Sequence, residues 1–137
     1  MLDWPLIRKE MIMGQQSQED PLYEIAFCEK LLERHPDYVE ALLLLSELYT
    51  KTGQHEKGLG TDLKLTLLRP EDPIVHYNLA CGYSLLQRPK EALEALERSI
   101  TLGYCDFNFL QKDKDLQSLH QEPGYQVLLR KYFRKSS

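Results

Sequence analysis

The side chains able to carry catalysis or hold a metal are His35, His55, His76 and His120, the three cysteines Cys28, Cys81 and Cys105, and a set of adjacent carboxylates. The histidines show no HExxH and no paired spacing, so no zinc-hydrolase geometry follows from them. His35 precedes Pro36, where a helix must stop, and its natural role is to meet the negative end of that helix. His76 falls on a helical face, where a contact between helices is the expected use. The cysteines are odd in number and widely spaced. They contain no CxxC and no Cys/His ligand pattern, so neither a disulfide framework nor a metal site is expected. The acidic pairs Glu19-Asp20 and Glu71-Asp72 stand just before Pro21 and Pro73, where helices begin and negative charge complements the helix dipole. A nucleophile motif and a phosphate-binding glycine loop are also lacking. The sequence therefore names no catalytic, cofactor-binding or metal-ligating residue, and the expectation is a non-enzyme. Binding is the chemistry that remains.

Bulk properties narrow the partner. The chain has 137 residues, 42% of them hydrophobic, enough for one domain with a real core. A formal charge of −4 argues against nucleic acid, whose phosphates call for a basic patch. The basic cluster Arg130, Lys131, Arg134 and Lys135 suits the end of a last helix. Arg8, Lys9 and Glu10 interrupt the apolar run from Trp4 to Ile7, so no signal peptide is read there. The apolar run Ala41 to Leu45 is too short to span a bilayer. With unpaired cysteines, this composition leads to the expectation of a cytoplasmic protein that contacts no membrane.

The elements that must position these side chains are helices, and they recur. Tyr49 and Tyr83 stand 34 residues apart, as do Leu45 and Leu79, Leu31 and Leu65, and Pro36 and Pro70. Leu42, Leu45 and Tyr49 share one face at helical spacing. Gly53 can adopt the left-handed conformation that ends a helix, and Pro70 cannot continue one. Downstream, Asp72-Pro73 starts a helix carrying His76, Leu79, Ala80 and Tyr83. Pro89 opens the next helix after a Gln87-Arg88 turn, with Ala92, Leu93, Leu96 and Ile100 as its stripe and Gly103 as its stop. Upstream, Asp20-Pro21 begins a helix with Leu22, Ile25, Cys28, Leu31 and Leu32 on its apolar side. Trp4 to Met13, with Ile7 and Met11 on one face, reads as its partner, and Gly14 to Asp20 as a polar turn.

This 34-residue pattern, with Leu42, Leu45, Ser46, Tyr49, Gly53, Gly58 and Pro70, then Leu79, Ala80, Tyr83, Ala92 and Leu96, resembles the tetratricopeptide repeat. The resemblance implies an all-α fold, a right-handed superhelical solenoid of antiparallel helix pairs with about three units and a C-terminal cap. The units fall at 5–38 (degenerate), 39–72 and 73–106, with a helical cap over 107–137 in a single domain. Within the cap, Tyr104, Phe107, Phe109 and Leu110 read as a short helix, Asp115 as the cap of another carrying Leu116 and Leu119, and Pro123 as the start of a last helix. Tyr125, Leu128, Leu129, Tyr132 and Phe133 form that helix's apolar side. The Gly103-Tyr104, Asp113-Lys114-Asp115-Leu116 and Glu122-Pro123 series resembles the ending of small bacterial repeat proteins of this type.

One position departs from the pattern. Where the family favours a large apolar residue, the chain has Asp62, close to Gly58 and Gly60. Glycine costs roughly 1 kcal/mol in a helix interior, so this helix is expected to be the least rigid. Asp62 is expected to reach solvent or a neighbouring polar group, the alternative being a helix completed by a partner on the convex side.

The resemblance also implies a concave face built from the first helix of each repeat. Carried over by position, its residues are Glu40, Leu43, Glu47, Thr50 and Lys51, then Ile74, Tyr77, Cys81, Ser84 and Leu85. An apolar strip bordered by charge suits an extended peptide or a helix. The expected function is a protein-interaction adaptor for another protein or peptide. The alternatives are a structural subunit that self-associates, making a homo-oligomer possible, or a small chaperone for secreted proteins. The clamp that some family members use for C-terminal carboxylates is incomplete: Asn78 occupies the asparagine position, but Leu44 stands at the matching place one repeat earlier.

Overall fold

Aspartate–proline pairs open two helices as their chemistry dictates. Asp20 and Asp72 cap α2 (Pro21–Arg34) and α5 (Pro73–Leu85), accepting from the backbone N–H groups of Leu22 and Ile74 at 3.0 and 2.9 Å. The computed structural model describes residues 2–13 and 20–133, the side chains of 10–13 excepted. The polar stretch from Gly14 to Glu19, the side chain of Met11, and Arg134 and Lys135 thus lie outside the described residues. The remaining helices are α1 (Trp4–Met13), α3 (Val39–Lys51), α4 (His55–Leu68), α6 (Pro89–Thr101), α7 (Phe107–Lys112) and α8 (Pro123–Tyr132), with a 3-10 segment at Lys114–Gln121 between the last two. No strand occurs among the described residues, and the fold is the expected all-α one of consecutive helix pairs. The chain divides within α4 into two compact units, Met1–Thr61 and Asp62–Ser137.

In the first unit, Ile25 and Cys28 of α2 pack with Leu44, Leu45, Leu48 and Tyr49 of α3. Trp4 of α1 closes this cluster and meets Tyr38 edge to face at 5.4 Å. Burial removes Cys28 from water and raises its thiol pKa to about 11. The Tyr49 hydroxyl donates to Glu29, tying α3 to α2. A Cβ added at Gly58 would lie 3.5 Å from that of Tyr49, so a methyl group just fits and longer side chains meet α3. Leu22, expected on the apolar side of α2, is instead exposed beside Tyr23.

In the second unit α5 packs along α6, and Ser99 donates to the Pro73 carbonyl at 2.6 Å across the pair. His76 Nε2 lies 2.8 Å from the carbonyl of Pro70, in the turn before its own helix. The cap buries Leu110, Leu116 and Leu119 completely, together with Tyr125, Leu128 and Leu129 of α8. Glu97 of α6 holds α8 by accepting from Lys131 Nζ at 3.0 Å and from the Tyr132 hydroxyl at 2.8 Å. Asp62 does not reach solvent. It is 3% exposed, engaged within the chain, and its charge is felt at Cys81. Asp115 is not the cap residue expected either: the side chain of Asp113 accepts from the Asp115 N–H at 3.0 Å and starts the 3-10 segment.

The turns repeat with the helices. After α3, Gly53 is left-handed (φ 76) and the Gln54 N–H bonds the Tyr49 carbonyl at 2.7 Å. After α5, one period later, the Arg88 N–H bonds the Tyr83 carbonyl at 3.0 Å, and the left-handed residue is Gln87 (φ 60). A side-chain-bearing residue thus holds the glycine slot.

Candidate protein-interaction faces

The α3 face is open. Glu40, Glu47 and Lys51 are exposed, while Leu43 and Thr50 are half-buried between them. Among the described residues none of the three charged groups has an ion pair. One helix thus offers two exposed carboxylates a heptad apart, with Leu43 between them and a cation at the end.

The α5 face differs. Ile74 is 50% exposed and Leu85 half-buried, but Tyr77, Cys81 and Ser84 are buried. The expectation that these three stand free to meet a partner is corrected by what covers them. Tyr77 stacks on Tyr104 (centroids 4.4 Å apart, planes at 15°), and its hydroxyl donates to Asp113 Oδ2 at 2.7 Å. The Cys81 thiol approaches the same oxygen at 3.8 Å. Ser84 Oγ pairs with Ser118 Oγ at 2.9 Å, and Ser118 Oγ also donates to the Ser84 carbonyl at 3.2 Å. The chain's own cap lies on this face.

Electrostatics keep these groups protonated. Burial raises the Cys81 thiol well above its ordinary value, and the carboxylates of Asp113, Asp115 and Asp62 push it further. Burial likewise raises Tyr77, reinforced by its hydrogen bond to Asp113. Cys81, Asp113 and Asp115 bring their ligand atoms within 4.8 Å of one another, the nearest approach to a metal-binding set among the described residues. Asp113 already accepts from the Tyr77 O–H, the Cys81 S–H and the Asp115 N–H, so protons meet its charge.

Asp113, Ser118 and Tyr104 were not singled out for this face by sequence reasoning. Asp113 stood out only as part of an ending pattern, because the cap departs from the repeat and its contacts are not given by repeat position.

A sequence profile of the tetratricopeptide repeat matches residues 27–59, from the middle of α2 through α3 into α4. Over 107 residues, 76% of its length, the chain is 30% identical to a chloroplastic protein of Arabidopsis thaliana. The chain carries a tetratricopeptide repeat. The match spans 30% of the plant protein's length. Tetratricopeptide repeats serve protein–protein contact, and such helical repeats gain extended surfaces by stacking. Among the described residues, no helix of this repeat protein is long and apolar enough to cross a membrane.

Proposed function

We propose that the protein is a non-enzymatic interaction module that holds a peptide or helix of another protein along α3, through Glu40, Leu43, Glu47, Thr50 and Lys51. The exposed charge around Leu43, which has no ion pair among the described residues, carries this reading. Exposed charges on a helix can meet opposite charges across an interface, which selects the partner and speeds its approach more than it adds affinity. On this reading Ile74 and Leu85 are partner candidates of the second unit by itself, the repeats lie at 5–38, 39–72 and 73–106 with the cap at 107–137, and a reducing compartment such as the cytoplasm suits the free buried cysteines. Nucleic acid is not a partner on this reading, given the negative charge.

Panning a displayed peptide library on the purified chain tests the proposal. Enriched peptides should lose binding to Leu43→Glu and to the Glu40→Lys, Glu47→Lys double variant. Equal binding to all three proteins would remove α3 as the site.

A second reading has an observation of its own. Leu2 and Leu6 near and on α1, and Leu22 and Tyr23 on α2, leave apolar surface exposed in the first unit. That surface favours self-association. Light-scattering mass across a concentration series separates the two: a dimer that Leu22→Glu dissolves supports a self-assembling subunit, and a steady monomer supports the open module.

A further inference from the structure

We infer that the cap segment from Phe107 to Gln121 is an internal occupant of the α5 face, latched by Asp113 and Ser118, and that this face opens only when the latch is broken. The inference deepens the interaction reading, because it states which of the repeat faces the resting protein withholds.

Tyr77, Cys81 and Ser84 stand at i, i+4 and i+7 of α5 and form one stripe. The stripe carries a phenol, a thiol and a hydroxyl, and each meets a polar atom of the cap. The latch lies at the edge of the contact: Asp113 is half-buried and Ser118 exposed, whereas Leu110, Leu116 and Leu119 anchor the segment from beneath. Asp113 has two duties. One oxygen holds α5, and the other accepts from the Asp115 N–H that begins the 3-10 segment. Exposed Phe109, whose ring centroid lies 6.1 Å from that of Tyr77, borders the closed stripe.

The cysteines supply the test. Cys105 is exposed, Cys81 lies under the latch, and Cys28 is buried in the other unit, where it reports on wider unfolding. The full chain is labelled with N-ethylmaleimide and each site followed by peptide mass spectrometry. In the native protein Cys105 should react, with Cys81 and Cys28 slower by about a hundredfold or more, as expected of groups reached only through local opening. Asp113→Ala should accelerate Cys81 at least about tenfold, the gain from roughly 1.4 kcal/mol of lost latch, with Cys28 unchanged. Ser118→Ala should do the same to a smaller extent, and it leaves the carboxylates around the thiol intact, so its effect reports opening rather than a shifted thiol. Cys81 reacting as fast as Cys105 in the native chain overturns the closure. So does a lack of acceleration in both variants, or Cys28 accelerating in step with Cys81 in both. No partner enters the assay, so its outcome is independent of whether α3 binds a peptide.

Discussion

The hydroxyl of Tyr77 donates to Asp113 Oδ2 at 2.7 Å, joining the middle of α5 to a residue 36 positions later in the chain. The bond is charge-assisted and partly screened from water, which places it in the range of about 1.5–3 kcal/mol. Tyr77→Phe keeps the stack on Tyr104 and removes only this bond. Asp113 is half-buried and can regain water, so the expected loss is near the lower end, about 1–2 kcal/mol by urea denaturation. A Tyr77→Phe protein as stable as the native one would show that the bond contributes nothing.

Aliphatic anchors matter more to the cap than its polar latch does. Leu116 is fully buried, and truncating it leaves a cavity as well as removing apolar contact. Leu116→Ala should cost about 2–5 kcal/mol. Leu67 is 82% exposed, and Leu67→Ala should stay within about 0.5 kcal/mol of the native value. Chemical denaturation of the two variants side by side checks the contrast, and comparable losses would contradict the placement of one or both.

Gln87 holds the left-handed slot that Gly53 fills one repeat earlier. A residue with a Cβ pays roughly 1–2 kcal/mol there, and glycine does not. Gln87→Gly should therefore raise stability by about 0.5–1 kcal/mol once the greater freedom of the unfolded chain is subtracted. Gly53→Gln should lower it. Thermal melts of the two variants moving in the same direction would refute the equivalence of the two turns.

The link between α6 and α8 is sensitive to pH in a defined direction. Hydrogen bonds from Lys131 and then Tyr132 lower the pKa of Glu97 below its usual value. A carboxylate with a lowered folded value stabilises the fold above the unfolded value, and that contribution is lost as pH falls through the folded value. Lys131 is raised by the same pairing, so its share is present below the ordinary lysine range and lost as pH rises through the raised value. The pair is solvent-exposed, so the effect should be small and weakened by salt. An NMR titration of the Glu97 carboxyl should show a lowered midpoint that Lys131→Met returns toward normal. An ordinary midpoint in both proteins would discount the pair.

Local rules made the helices legible and left the site half-hidden. Asp20-Pro21, Asp72-Pro73, Pro89 and Gly53 act within a turn of where they stand, so the sequence alone was enough to place α2, α5, α6 and the end of α3. The α3 candidates could be named from the repeat pattern. Their exposure is visible because nothing else among the described residues pairs with Glu40 or Glu47. Tyr77, Cys81 and Ser84 came from the same pattern, but their fate depends on Asp113 and Ser118, which reach them from over thirty residues away. Gln87 was legible as part of a turn, but its left-handed conformation was not, because the two helices it joins impose it against its own preference.

The cap also fixes how many partners one chain can address. On the proposed reading, with the α5 stripe filled from within and the α3 face open, a single molecule would present one handle of this kind and bind monovalently. Two chains held together, by a partner with two copies of its motif or by a tether, would bind with avidity set by the distance between their α3 helices.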